Sequence, residues 1–312
     1  MSISQSGRNR PAILIFRFSQ AAGSDSCFMY NCFAMIDFSA IIDALAGLPL
    51  GSLRFFDRIG STNVEAARWA AAGAPDLALV LADEQTAGKG RQGRAWFTPP
   101  GGALAFSLAL RPQTGADPAL QRADHVLRFT ALGTLAVCAA LENEYGLRPQ
   151  IKWPNDVLLQ GRKLCGVLAE SQWQGDSLSA IILGIGINIA ANSTPPDDQV
   201  TFPATYLENF TGQQVDRLEL LRSILESLLD WRQRLNSPAF IAAWDQRLAF
   251  KNEWVQIING NVPDHSTASP SFLVGLDDQC RLVLKAQAGD TFKLLTGEVR
   301  LRPIKPGSGS EI

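Results

Sequence analysis

One segment contains the residue types that an anion-binding loop requires: residues 88–94, with the sequence GKGRQGR, followed by Trp96. Glycines let backbone amides approach an anion closely, and the interleaved lysine and arginines neutralise its charge. Arginine can bind phosphate in a bidentate manner, and the neighbouring indole can cover an adenine or an apolar ligand. The segment matches neither GxxxxGK[ST] nor GxGxxG, so neither a Walker A loop nor a Rossmann site is predicted. A solvated surface loop explains the pattern equally well, and an RGG-like nucleic-acid segment explains it less well.

Two further segments carry lysines that could face an anion. Lys152 begins the sequence KWPND and could place a point charge beside a phosphate, but a turn with a packed tryptophan is as good an interpretation. Lys163 begins a mostly apolar run and could point into a cleft, where an unpaired charge would be costly. Considered alone, Lys163 fits better as a lysine that protects the end of a strand.

Two segments could offer polar groups to a ligand or let a ligand approach the backbone closely. Ser61, Thr62 and Asn63 precede a helical run, where Thr62 and Glu65 match a capping box; spare hydroxyl and amide groups could also bind a ligand. Residues 184–188, with the sequence GIGIN, end an apolar strand, and their glycines indicate close approach of a ligand or plain packing.

The elements that must position these segments mix helices and strands. Periodicity and turn residues predict helices at 38–48, 62–72, 123–145, 218–235 and 240–248, and strands at 53–58, 77–82, 103–110, 156–159, 164–170 and 178–187. Beyond residue 251 the pattern changes to short strands at 254–258, 272–276, 282–285, 292–295 and 298–301, which is typical of a small β-barrel.

Bulk properties exclude several classes of function. The chain has 312 residues and a net charge of −2, so it shows no overall basic excess for nucleic acid. Five cysteines without a CxxC spacing and only two histidines predict neither a disulfide framework nor a zinc site, and they favour a reducing, cytoplasmic setting. The apolar run near the N-terminus, residues 12–16, is too short to span a membrane.

The joint order of the five segments is far more specific than any one of them. Residues 61–63, then Gln85 with 88–96, then 152–156, 163–166 and 184–188 resemble the successive motifs of biotin–protein ligases. Residues 274–277 and 296–300 resemble the SH3-like domain of that family, so the resemblance covers roughly residues 52–303. It implies an α+β fold: a class II synthetase-like mixed sheet flanked by helices, with a small C-terminal SH3-like β-barrel.

The resemblance also implies a division of the chain. Residues 35–250 would form the catalytic domain and 251–303 the SH3-like domain, while 1–34 and 304–312 are expected to be disordered. Residues 1–34 could instead be a targeting peptide, because they carry three arginines and one acid, or Met35 could be the natural start. No helix-turn-helix pattern precedes residue 52, so we expect a monofunctional ligase that does not bind DNA.

The implied reaction joins biotin to ATP, as biotinyl-adenylate, and then to a lysine of a biotin carboxyl carrier domain. Mg²⁺ would bridge the ATP phosphates, with no metal ligands from the protein. The resemblance assigns catalysis to Lys163, Arg91 and Asp156, the last as a candidate general base. It assigns the nucleotide to Arg91, Arg94, Trp96, Lys152 and Asn188. It assigns biotin to Ser61, Thr62, Asn63, Gln85, Gly88, Lys89, Arg91, Lys163, Gly166, Gly184 and Gly186.

Several expectations stay open at this stage. A lipoate or octanoate ligase or transferase shares the expected fold, and a non-enzymatic biotin-binding regulator is a second alternative; a homodimer is compatible with either. Lys89 stands where the family usually has arginine, which retains charge but loses bidentate geometry. Residues 277–280 lack the usual turn glycine, and 259–271 form a longer loop than is typical.

Overall fold

A large mixed sheet organises the chain. The computed structural model describes residues 14–18, 36–111, 125–175, 177–195, 202–258, 270–294 and 300–303. Eight strands form the sheet in the order β1-β2-β3-β4-β8-β7-β6-β5, in which β1, β2 and β3 run parallel and the other neighbours antiparallel. Its strands are β1 Leu14–Phe18, β2 Ser52–Ile59, β3 Ala78–Gln85, β4 Ala103–Leu110, β5 Gln150–Lys152, β6 Asp156–Leu159, β7 Arg162–Gln174 and β8 Ser177–Asn188.

Helices cover both faces of this sheet, which explains why every residue of β4 is buried. They are α1 Phe38–Ala44, α2 Thr62–Ala71, α3 His125–Tyr145, α4 Glu208–Thr211, α5 Arg217–Gln233 and α6 Pro238–Gln246. On one face α2 packs Ala66 and Trp69 against Val80 and Ile182. On the other face α3 and α5 share the main core with the sheet. These observations confirm the predicted α+β sheet flanked by helices.

Helix α3 is long and apolar enough to cross a membrane by length and composition. However, 72% of its most apolar window is buried inside the protein, where it packs against α5, β7 and β8. Its apolar character is therefore explained by packing on two sides within the core.

A second, five-stranded antiparallel sheet follows, in the order β12-β11-β10-β9-β13. Its strands are β9 Trp254–Ile258, β10 Ser271–Leu276, β11 Leu282–Ala286, β12 Thr291–Leu294 and β13 Arg300–Pro303. The sheet joins the main core through buried residues such as Val255 and Leu273. Trp153 Nε1 donates to Cys280 O over 3.2 Å, which ties the KWPND segment to this sheet.

The structure bears on two expectations about irregular segments and changes one of them. Residues 14–18 form β1, which extends the edge of the sheet beside β2, so disorder is the wrong prediction for these five residues. The rest of 1–34 and residues 304–312 lie outside the described residues, as do 259–269. The turn at 277–280 does differ from a glycine turn: Cys280 takes a φ of 64°, and Asp277 Oδ1 accepts from the amides of Gln279 and Arg281.

Candidate active site

A cavity of about 1030 Å³ opens on one face of the large sheet. Its wall includes every residue that the sequence assigned to catalysis, biotin or nucleotide. They come from the start of α2, the end of β3 and the loop after it, and strands β5 to β8: Ser61, Thr62, Asn63, Gln85, Gly88, Lys89, Arg91, Arg94, Trp96, Lys152, Asp156, Lys163, Gly166, Gly184, Gly186 and Asn188. The structure therefore gathers all the candidates in one place.

The glycine-rich loop folds back on itself as a narrow hairpin. Gly90 N donates to Arg94 O over 2.7 Å, and Trp96 N donates to Gly88 O over 2.8 Å. A side chain at Gly88 would place its Cβ 2.3 Å from Trp96 O, so only glycine fits there. Gln92 and Gly93 take positive φ at the tip. The loop thus brings Lys89, Arg91 and Arg94 to the cavity as an ordered cationic segment rather than a free surface loop.

Arg91 is held by the KWPND segment. Its Nη1 donates to Asn155 Oδ1 over 3.1 Å, and Asn155 Nδ2 donates in turn to Val167 O over 3.1 Å. Burial lowers the pKa of the Arg91 guanidinium, the charge of Asp156 raises it, and neighbouring Arg94 lowers it. Asn155 was not among the predicted site residues, although its place beside Pro154 in KWPND was the available signal.

We expect Asn155→Ala to reduce biotin-dependent pyrophosphate–ATP exchange about tenfold, because Arg91 loses the group that orients it. Asn155→Asp keeps an oxygen acceptor for Arg91 and should retain more activity than the alanine variant. Exposed Asn209, which lies outside the cavity, supplies the control substitution Asn209→Ala. Equal exchange rates for Asn155→Ala and Asn209→Ala would show that Asn155 does not position Arg91.

A β-bulge directs Lys163 into the cavity. The register of β7 on β6 shifts by one residue there, and Leu164 is the extra residue. Leu164 and Cys165 are fully buried in the core, while Gly166 and Lys163 line the cavity. Strict alternation from Gly166 would have placed Leu164 in the cavity and Lys163 in the core. The bulge reverses these two side chains, which is a recognised use of bulges beside active sites.

Lys163 is also paired with a carboxylate. Its Nζ lies 2.6 Å from Asp156 Oδ1, and it lies 5.4 Å from the centre of the Trp96 ring. The exposed fractions of the Lys163 and Asp156 side chains are 22% and 14%, so water reaches the pair only in part. The interpretation of Lys163 as an exposed strand-end lysine is therefore wrong.

Two glycines predicted to contact biotin instead support an indole. Gly166 and Gly186 are direct neighbours on β7 and β8. A Cβ at Gly186 would lie 2.3 Å from Trp96 Nε1, and a Cβ at Gly166 would lie 2.9 Å from its Cζ3. The indole of Trp96 therefore lies against bare backbone on two strands. Among the described residues its buried Nε1 has no hydrogen-bond partner.

A group of hydroxyls and amides lies at the start of α2. Thr62 N donates to Gln85 Oε1 over 2.8 Å, and Thr62 Oγ1 lies 3.1 Å from the same oxygen. The predicted capping box is wrong, because Ser61 is the N-cap residue without a side-chain bond and Glu65 pairs with Arg54. The Ser61 hydroxyl is buried and has no partner in the described part of the chain. Ser61 also lines the cavity, so its unpaired hydroxyl is a candidate partner for a polar ligand.

Asn63 and Gly184 support each other structurally. Asn63 Nδ2 donates to Glu170 Oε2 over 2.8 Å, and Asn63 Oδ1 lies 2.6 Å from Ser107 Oγ. A Cβ at Gly184 would lie 1.9 Å from Asn63 Oδ1, so the amide occupies the space that this glycine leaves. Ser107 was missed by the sequence interpretation, although a lone polar residue inside the apolar run ALAFSLAL was a usable signal.

Lys152 and Asn188 contact the segment around 202–205. Lys152 is buried, with Nζ 3.9 Å from the centre of the Phe202 ring, and Asn188 Nδ2 donates to Thr205 O over 2.9 Å. No pattern in the sequence marked Phe202 as part of the site. Together with the hairpin, these residues give the cavity several cations. Asp156, which is paired with Lys163, contributes a carboxylate to the wall. That arrangement suits two anions that must be brought together.

The chain is similar to proteins of one family. A model of the biotin/lipoate A/B protein ligase family matches residues 55–188. The biotin–[acetyl-CoA-carboxylase] ligase of Paracoccus denitrificans is 36% identical over 236 residues, which are 74% of this chain and 93% of that protein. The bifunctional ligase/repressor BirA of Bacillus subtilis strain 168 is 38% identical over 175 residues, or 55% of this chain and 51% of that protein. This chain therefore spans about half the length of that bifunctional relative.

A solved structure agrees with the sequence comparisons. The biotin protein ligase from Aquifex aeolicus in complex with biotin and ATP superposes with a TM-score of 0.67 at 27% identity. The match covers 81% of this chain and 99% of that one. The family match over 55–188 also contains every residue assigned to the cavity from the sequence. Fold, cavity and sequence agree that the chain belongs to the biotin–protein ligase family.

Proposed function

We propose that the chain activates biotin with ATP and transfers it to a lysine of a carrier protein. The observation that carries the proposal is the convergence of Lys163, Arg91 and the buried Ser61 hydroxyl in one cavity. A carboxylate and a triphosphate repel each other, and fixed cations offset that repulsion while holding the two reactants together. Biotin and ATP are also the molecules bound to the Aquifex aeolicus ligase.

In the first half-reaction a biotin carboxylate oxygen attacks the α-phosphorus of ATP. The bond to the bridging oxygen of the β-phosphate breaks, and pyrophosphate leaves. Arg91 and Lys163 stabilise the charge that develops on the α-phosphate oxygens and the acyl oxygen. Arg94, Trp96, Lys152 and Asn188 hold the nucleotide. Mg²⁺, if bound with ATP, would be held mainly by the phosphate oxygens and would offset the negative charge of the pyrophosphate.

In the second half-reaction the amine of the acceptor lysine attacks the acyl carbon of the adenylate. The acyl–oxygen bond breaks, AMP leaves, and the amine loses one proton. Asp156 is the candidate that accepts this proton, because it is the carboxylate paired with Lys163 in the cavity. The acceptor is a biotin carboxyl carrier domain of a carboxylase, as the name of the Paracoccus relative suggests.

Further assignments belong to the same proposal. The five-stranded C-terminal sheet is the SH3-like barrel of the family, and the enzyme acts in the cytoplasm as a monofunctional ligase, as a monomer or a homodimer. The net charge of −2 supports the absence of a DNA partner. Among the described residues, no three histidine, cysteine, aspartate or glutamate side chains cluster as a metal site.

Pyrophosphate–ATP exchange with different acids tests this function. With biotin we expect exchange at least a hundredfold faster than with lipoate or octanoate, because apolar acids leave the polar groups at the start of α2 unpaired. Exchange with lipoate alone would favour a lipoate ligase. Binding of biotin without any exchange would favour a non-enzymatic regulator.

A further inference from the structure

A chain of buried polar groups runs beneath the cavity across three neighbouring strands. Ser107 is fully buried in the middle of β4 and directly opposite Gly184 on β8. Its Oγ lies 2.6 Å from Asn63 Oδ1 and 2.8 Å from Thr62 Oγ1. Asn63 Nδ2 then reaches Glu170 Oε2 on β7 over 2.8 Å. The chain therefore links an outer carboxylate to a hydroxyl that lines the cavity.

The direction of each hydrogen bond follows from the acceptors that Asn63 contacts on β7. An ionised carboxylate and a backbone carbonyl only accept, and Asn63 Nδ2 lies 2.8 Å from Glu170 Oε2 and 3.4 Å from Leu168 O. Asn63 must therefore present its NH₂ to these two acceptors on β7 and its carbonyl oxygen to Ser107. A carbonyl oxygen only accepts, so the single hydroxyl proton of Ser107 is donated to Asn63. Ser107 Oγ can then only accept from Thr62. These two acceptors thus set the direction of every later hydrogen bond, and Glu170 makes the shorter of the two contacts.

The same count of donors and acceptors determines which hydrogen bonds the Thr62 hydroxyl can make. Its hydroxyl proton is donated either to Ser107 Oγ, at 2.8 Å, or to Gln85 Oε1, at 3.1 Å, and both are internal partners. Thr62 N already donates to Gln85 Oε1, which favours Ser107 as the recipient. In either case Thr62 Oγ1 has no proton left for a ligand. Toward the cavity, Thr62 can act only as an acceptor.

We propose that Ser107 and Glu170 are positioning residues that make Thr62 an acceptor for an N–H group of the ligand ring. This inference rests on the proposed function, and it adds a reason why the protein would bind biotin in preference to lipoate or octanoate. The cyclic urea of biotin has N–H donors, whereas lipoate and octanoate have none. With those acids the Thr62 oxygen loses its water and finds no donor, which costs binding free energy.

The test is calorimetric titration of the full chain with biotin in the absence of ATP. Ser107→Ala removes the link between Asn63 and Thr62, and we expect about tenfold weaker binding of biotin. In the exchange assay the KM for biotin should rise by a similar factor, while kcat at saturating biotin and the KM for ATP stay within about twofold. A general loss of structure would lower kcat and the thermal midpoint instead.

Ser223→Ala is the matched control. Ser223 is also buried and donates to a carboxylate, Glu144 Oε1, over 2.9 Å, but it lies on α5 and does not line the cavity. We expect its biotin affinity to equal that of the parent protein. A Ser107→Ala protein that folds and binds biotin as tightly as the parent would overturn the inference.

Glu170→Gln provides a second variant at an accessible edge, in case Ser107→Ala fails to fold. An amide at residue 170 can donate as well as accept, so only the longer contact to Leu168 O still imposes the direction of the hydrogen bonds, and biotin should bind about threefold more weakly. The double variant Ser107→Ala/Glu170→Gln should bind biotin no more weakly than Ser107→Ala alone, because loss of the Ser107 hydroxyl already breaks the series of hydrogen bonds. Additive effects, or no effect of Glu170→Gln, would contradict the proposal. If the parent protein itself bound no biotin, the proposed function would fail rather than this inference.

Discussion

Replacement of Lys163 by alanine is expected to reduce biotin-dependent pyrophosphate–ATP exchange by about a hundredfold to a thousandfold. Removal of one donor that stabilises developing negative charge in a largely enclosed site has effects of that size. The ammonium group reaches the cavity through the bulge at Leu164 and is held there by Asp156 at 2.6 Å. Because the lost interaction develops in the transition state, the fall should be in kcat more than in the KM for biotin.

The control must separate loss of charge from loss of stability. Lys251 is paired with Asp245 outside the cavity, and the exposed fractions of these side chains, 33% and 25%, resemble those of Lys163 and Asp156. Lys251→Ala should leave exchange unchanged. Lys163→Ala leaves Asp156 without its cation, so Lys163→Ala/Asp156→Asn removes the unpaired carboxylate as well. Parental exchange by a folded Lys163→Ala protein would remove this lysine from the mechanism.

Replacement of Gly186 by alanine is expected to lower kcat/KM for ATP by at least tenfold while the chain still folds. The new methyl group would lie 2.3 Å from Trp96 Nε1, far inside contact distance, so the indole must move. Overpacking of a filled site costs about 1–3 kcal/mol, and here that cost falls on the cavity wall rather than on the core. Thermal unfolding and exchange kinetics, measured on the same preparation, separate the two effects.

Gly60→Ala is the matched control, because a Cβ at Gly60 would meet no atom within 4 Å. Gly60 lies between β2 and α2, beside the cavity, so both substitutions are made in the same part of the protein. We expect parental kinetics for Gly60→Ala. If Gly186→Ala matched it, the packing of Trp96 against β8 would have no role in binding the nucleotide.

Much of the fold could be predicted from the sequence, because its signals are local. The amphipathic spacing along 218–235 corresponds to α5 at Arg217–Gln233, and the turn at Gly161 separates β6 from β7. The three-residue strand β5, at Gln150–Lys152, was missed because so short a run carries no periodicity. The capping box failed because tertiary partners, Gln85 for Thr62 and Arg54 for Glu65, replaced the local ones.

The sequence by itself determined many of the residues that line the cavity, although not Asn155 or Phe202, and the order of its motifs determined the family. Binding of anions and of a polar ring requires particular residue types, such as glycine, lysine, arginine and side chains with hydroxyl or amide groups. These residue types can be read directly from the sequence. Only the tertiary structure decided how those residues act. The indole of Trp96 on Gly166 and Gly186 and the hydrogen bonds from Glu170 to Thr62 join residues that are distant in the chain. The bulge that turns Lys163 inward depends on how β6 and β7 pair. Each depends on strand register and close packing, which no local pattern of residues encodes.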